Sequence, residues 1–165
     1  MARNVQIVDQ DLGARALFER LKAGGRVDVG VQGSEAGEVH EDPHGENTEA
    51  LTVVDVATKH EYGDPENGIP RRSFIRDYVD HNRRELEERL QRVGQEVIKG
   101  RDLAEALETF GLLAVGEIQT RMAQGIAPPN SAATVARKGS DTPLIDTGQL
   151  RSSITHKVSS SRRVA

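Results

Sequence analysis

Apolar residues recur along this chain at two different periods. Between Ser73 and about Lys99 they fall at Ile75, Val79, Leu86, Leu90, Val93 and Val97, with charged residues filling the gaps. Steps of three, four and seven residues predict an amphipathic helix, with Ser73 as its expected N-cap. Gly100-Arg101-Asp102 interrupts the pattern. It resumes from Asp102 to about Gln124 with Leu103, Leu107, Phe110, Ala114, Ile118 and Met122 on one side. So short a break predicts an antiparallel helical hairpin. Gly94, Gly111 and Gly116 lie inside these two helices. A glycine there costs about 1 kcal/mol relative to alanine, so close backbone packing is expected in return.

The second period is two. In Arg26 to Gln32 the residues Val27, Val29 and Val31 alternate with Asp28 and Gly30, and Ile154 to Val158 alternates likewise. Each segment predicts a strand with one buried face, and each is the obvious partner of the other. The expected fold is therefore α+β: a small antiparallel sheet packed against a long helical hairpin, with protruding loops.

Shorter elements complete the plan, a single domain over 1–165. After the apolar opening Val5, Ile7 and Val8, Asp9 or Asp11 can cap a helix with Leu12, Ala16, Leu17 and Leu21 inward, stopped by Gly24-Gly25. Leu51, Val54 and Thr58 predict a helix ending at Tyr62-Gly63. The polar run Asp64 to Gly68 is a turn, and Pro70 fixes the entry to the next element. Ser34 to Thr48, rich in Gly, Glu, Asp and His, is expected to be a mobile insertion. Gly125 and Pro128-Pro129 end the second long helix, so 125–145 is expected to be an extended loop. Leu144-Ile145 anchor its far end, and Asp146-Thr147-Gly148 form a tight turn. Residues 159–165 are expected to fray.

Composition narrows the function. Twenty-six Asp and Glu against 22 Lys and Arg give a net charge of −4. A protein that grips DNA through its phosphates is usually basic, so specific nucleic-acid binding is not expected. With no cysteine, disulfides and thiolate metal sites are excluded. Aromatics make up 3% and Trp is absent, which implies an aliphatic core. No apolar run has the length of a signal peptide core or a membrane span, so membrane association is not expected and synthesis in a cytoplasm is.

Few residues suggest chemistry. Asp146-Thr147-Gly148 is the string that aspartic proteases use in pairs to activate water, and a dimer would supply two copies. That fold is nearly all β, however, and the string is a common turn, so a structural turn is the favoured reading. His40 and His44, with Glu38, Glu41 and Asp42, offer metal ligands, but Pro43 opposes the helix that H-x-x-x-H spacing requires. His60-Glu61 begins like a zinc-protease helix, but position 64 is Asp64. Arg71, Arg72 and Arg76, followed by Arg83, Arg84, Arg89 and Arg92 among acids, read as a solvated face. No catalytic group, cofactor or metal is expected.

Three stretches carry a resemblance. PPNSAATVARKGSDTPLIDTGQLRSSI, from Pro128 to Ile154, is similar to the C-terminal signature of the neck, or tail-completion, proteins of tailed bacteriophages. Lys59-His60-Glu61-Tyr62-Gly63 resembles the family's E-[FY]-G turn. Ile69 to Arg76, IPRRSFIR, resembles its I-P-x-R-x-F-[IL]-R segment. The acidic stretch Ser34 to Thr48 is the main departure. The resemblance implies a structural virion protein, not an enzyme, that forms a homo-oligomeric ring, expected to be six-fold, at the head-to-tail joint. It would be assembled in the host cytoplasm with other neck and tail proteins: a head-closure ring, a tail terminator or the tube. DNA would pass nearby without specific binding. Arg71, Arg72, Arg76, Pro128, Pro129, Thr134, Arg137, Lys138, Leu144 and Ile145 are the candidate subunit-interface residues, with Arg137 and Lys138 at the tip of an assembly arm. Asp146, Thr147 and Gly148 form its base. The alternative classes are a protease-like enzyme built on that turn and a cytoplasmic binding adaptor.

Overall fold

A computed structural model describes residues 13–41 and 51–159. In chain order their elements are α1 (Ala14–Ala23), β1 (Arg26–Val31), α2 (Val53–Tyr62), α3 (Arg76–His81), α4 (Arg83–Ile98), α5 (Leu103–Ala123), α6 (Ala132–Lys138), α7 (Gln149–Ser152) and β2 (Ile154–Ser159). The fold is α+β. β1 and β2 pair antiparallel, with Arg26 opposite Ser159 and Val31 opposite Ile154. The valine alternation of β1 and the buried Ile154 of β2 thus share the face on which α5 packs. The proposed Asp9 or Asp11 cap, and the tail beyond Ser159, lie outside the described residues.

Helix α5 is the axis of the core. Ala106, Leu107, Gly111, Ala114, Val115, Ile118 and Met122 are its buried residues. Ile118 and Met122 join Phe74, Val53, Leu150 and Ile154 in one cluster, so residues from five separate segments meet there. Full burial of a side chain of this size is worth about 1.5–3 kcal/mol. One approach to the sheet is very close: a Cβ on Gly111 would stand 2.4 Å from His156 Cδ2. The glycine gives up helix propensity and lets the imidazole of β2 lie against the helix backbone. The same ring is held by Glu108, 2.7 Å from its Nε2.

The hairpin exists, but its first arm is broken. Asn82 adopts φ −105 and ψ 13 and separates α3 from α4. Its amide side chain donates to Tyr78 O, which competes with helical continuation. Beyond the break the expected stripe turns partly outward: Val97 is fully buried, but Val79 and Leu90 are 41% and 46% exposed. A polar network closes the interface instead. Arg89 reaches both carboxylate oxygens of Glu117, at 2.9 and 2.6 Å, and also takes Glu85; Tyr78 Oη donates to Glu117 at 2.6 Å. The guanidinium holds the Glu117 carboxyl below its usual range, while burial and Glu117 push the Tyr78 phenol up.

Other expectations need correction. Ser73 does not cap the first arm: its hydroxyl donates to Glu61 O, and the buried Glu61 carboxylate accepts the Ile75 and Arg76 amides. In α2 the inward face is Val53, Val56, Ala57 and Glu61, not Val54 and Thr58, which are exposed. Residues 34–41 are fastened: Glu35–Gly37 form a 3-10 turn, and Val39 bridges Thr52. Residues 42–48 of the proposed insertion lie outside the described residues. Nor is 125–145 an extended arm. Ile126 and Leu144 are both buried, α6 forms between them with Ser131 as its cap, and the segment folds back on the body. Of the three helical glycines only Gly111 makes the expected close approach; Gly94 and Gly116 have nothing within 4 Å of a built Cβ.

These contrasts predict opposite outcomes along one helix. Gly111→Ala should lower stability by about 1–3 kcal/mol, since the His156 ring must move. Gly116→Ala should raise it by about 1 kcal/mol. Thermal melts of the two variants check this; a stabilised Gly111→Ala would remove the close approach.

Candidate functional site

The three stretches singled out in the sequence line one cavity of about 690 Å³. Its walls include Lys59 and His60 at the end of α2, Ile69, Pro70 and Arg72 from the following segment, and Pro128 to Ser131. Thr134, Arg137 and Lys138 of α6, Leu144, and Asp146 to Leu150 add to it. His40 and Glu41 also contribute.

Arg72 builds the site. It is only 6% exposed. Its amide donates to His60 O at 2.7 Å, which ties the segment to the end of α2. Its Nε donates to Pro128 O at 2.8 Å, and its Nη2 to Pro129 O at 3.1 Å and Asn130 Oδ1 at 3.3 Å. Every acceptor is neutral. Among the described residues no carboxylate pairs with this guanidinium, and burial lowers its pKa. Gly63 lets the chain turn there: at φ +83 a Cβ would meet the Arg71 amide nitrogen at 3.1 Å.

Lys138 turns inward from the last turn of α6 and donates to Ile145 O. Burial lowers its pKa, Arg72 and Arg137 push the same way, and Asp146 opposes them. Leu144, at φ 65, holds a left-handed backbone conformation uncommon for a non-glycine residue, and its side chain is 8% exposed in the core. The Ala127–Pro128 peptide is cis. In the turn, Thr147 Oγ1 accepts the Gln149 amide at 3.2 Å, and Gly148 takes φ 88 to start α7. Gln149 then clamps the strip opposite. It accepts the Glu41 amide at 2.8 Å and donates to Val39 O at 3.2 Å.

The candidate interface residues therefore divide. Arg72, Pro128, Pro129, Lys138, Leu144 and Ile145 make bonds or core contacts within the chain, which corrects Lys138 as a projecting tip charge. Thr134 gives its amide to the Ser131 cap of α6. Arg71 is exposed, donates to Ser73 Oγ and lies 3.6 Å from Asp77. Arg76 is exposed and stacks over Tyr62, 5.6 Å from the ring centre. Arg137 lines the cavity from an exposed position. His40 and Glu41 reach the cavity without a metal set: among the described residues no three His, Asp or Glu side chains converge to hold an ion. His44 and Asp42 lie outside the described residues.

Sequence reasoning missed His60 as a cavity residue. Its Nδ1 and that of His40 are buried and have no hydrogen-bond partner in the structure. Burial first, then the positive charges of Arg72 and Lys138 and the His40 ring, lower the His60 pKa to about 4. The helical step Val53, Ala57, His60 would have placed it inward had the face of α2 been read from Val53. No protein-family model, curated protein or solved structure matches this chain.

A buried neutral imidazole predicts a pH effect. In the unfolded chain His60 takes up a proton near 6.5, but in the folded chain only near 4. The unfolded state therefore binds more protons between these values, and stability falls as pH falls through that window, by up to roughly 3 kcal/mol. Melts from pH 7.5 to 4.5 should show this slope in the native chain and a flatter one in His60→Gln; equal slopes would contradict it.

Proposed function

We propose that the chain is a structural subunit of the neck of a tailed phage, of the tail-completion kind, which assembles as a ring and joins head to tail without chemistry. The observation that carries this reading is the convergence of the three family-like stretches. Lys59-His60 and the trio Ile69, Pro70 and Arg72 lie near each other in sequence, but more than fifty residues separate Arg72 from Pro128. Yet Pro128 to Ser131, Thr134, Arg137, Lys138, Leu144 and Asp146 to Leu150 share one cavity with them. Residues that share one concave site can share one partner.

The surface supports the same reading. Ile98, Leu112 and Leu113 on the hairpin are 60%, 65% and 51% exposed, which gives the body apolar area for neighbouring subunits. In a closed ring each copy would make the same heterologous contact with the next. A ring at this place would meet a head-closure ring on one side and a tail terminator or tube on the other. The protease alternative is not favoured: Asp146-Thr147-Gly148 leads into a four-residue helix of an α+β fold, not into a nearly all-β one.

Deletion of the gene from its phage tests the function. The expected result is filled heads and finished tails that do not join, with joining restored by purified protein. Asp146→Asn protein should restore it equally. Normal virions from the deletion phage, or rescue that depends on the Asp146 carboxylate, would overturn the proposal.

A further inference from the structure

The cavity has an electrostatic character at odds with the chain as a whole. The protein carries a net charge of −4. Its cavity nevertheless gathers four cationic side chains, Lys59, Arg72, Arg137 and Lys138, against two acidic ones, Glu41 and Asp146. Lys59 is paired with Asp64 at 2.5 Å, so the excess rests on the other three. Two of the cations spend their bonds on neutral groups. Arg72 gives its Nε and Nη2 to neutral oxygens, leaving Nη1 without a partner among the described residues. Lys138 donates to a backbone carbonyl. The buried Nδ1 atoms of His40 and His60 are also unpartnered. Two buried imidazole atoms without partners, beside an Arg72 Nη1 that no acceptor among the described residues occupies, make this recess suited to a ligand that accepts hydrogen bonds and carries negative charge.

We propose that the cavity receives a carboxylate side chain, a Glu or Asp flanked by apolar residues, on an extended segment of a partner protein. A monoanion fits better than a phosphate dianion. The Arg72 fork is already half occupied, and Glu41 and Asp146 on the wall repel a second negative charge. The apolar part of the lining, with Leu51, Val56, Ile69 and Leu150, suits the alkyl stem of a glutamate and its apolar neighbours. A volume of about 690 Å³ admits several side chains rather than one small ion. Inside, the carboxylate would accept from Arg72 Nη1 and from an imidazole N–H of His60 or His40. Its charge also offsets the repulsion that Arg72 and Lys138 exert on His60. This partner is assigned to the cavity described above by the cavity's own chemistry, whichever assembly the chain serves. Purified protein suffices to test it, so its failure is distinct from a failure of phage rescue.

The probes are the capped tripeptide Ac-Leu-Glu-Leu-NH2, its neutral isostere Ac-Leu-Gln-Leu-NH2, and inorganic phosphate. Each is titrated into the full chain while the His60 and His40 ring signals are followed by NMR. The glutamate peptide should shift both rings saturably, with a Kd in the millimolar range, about ten times tighter than the glutamine peptide. It should also raise the His60 titration midpoint above about 4. Arg137→Gln, an exposed position on the cavity, should weaken binding of the glutamate peptide severalfold. Absence of a saturable shift at about 10 mM would overturn the proposal. So would equal binding of the two peptides, or tighter binding of phosphate.

Discussion

The concave site depends on one buried guanidinium. Removing a charge from water is expensive unless hydrogen bonds replace the lost hydration. Arg72 obtains them from Pro128 O, Pro129 O and Asn130 Oδ1, in a loop more than fifty residues further along the chain. The same residue donates its amide to His60 O. It thus fixes the end of α2, the segment leading to α3 and the loop before α6 relative to one another. Glu61 completes the joint, since its carboxylate accepts the Ile75 and Arg76 amides, charge-assisted bonds worth about 1.5–3 kcal/mol each. The concave site between these segments follows from that arrangement.

Beneath this joint lies a body of a different kind. The two-stranded sheet, α5 and the α4 arm are held by aliphatic packing, by the Gly111–His156 approach and by the Glu117 network. Two strands do not make a stable sheet alone, so the sheet's stability comes from α5 lying across it. A packed body carries exposed apolar residues on its hairpin, while the polar joint shapes a basic recess in an otherwise acidic molecule.

Hydrophobic period makes the body legible. Both strands and the core residues Leu107, Ala114, Ile118 and Met122 follow from spacing, and the pairing follows because each strand is the obvious partner of the other. The joint is not legible in this way, because its inward residues are polar. Glu61, Arg72 and His60 sit at positions where a pattern of apolar residues sees only gaps. Asn82 breaks the first arm through a side-chain bond that periodicity does not register. The loop of 125–145 reads as extended because its buried anchors, Ile126 and Leu144, are single residues separated by a polar stretch. That these stretches share one cavity is visible only in the fold.

Hydrogen exchange on Arg72→Lys against the native chain is the most direct measurement. Lysine keeps the charge but lacks the fork that spans Pro128 O and Pro129 O. If the guanidinium holds the joint, exchange quickens only at the end of α2 and over residues 130–139, with α5 and the strands protected as before. Unchanged protection of both regions would show that the cavity does not depend on Arg72, and would contradict the central role given to it.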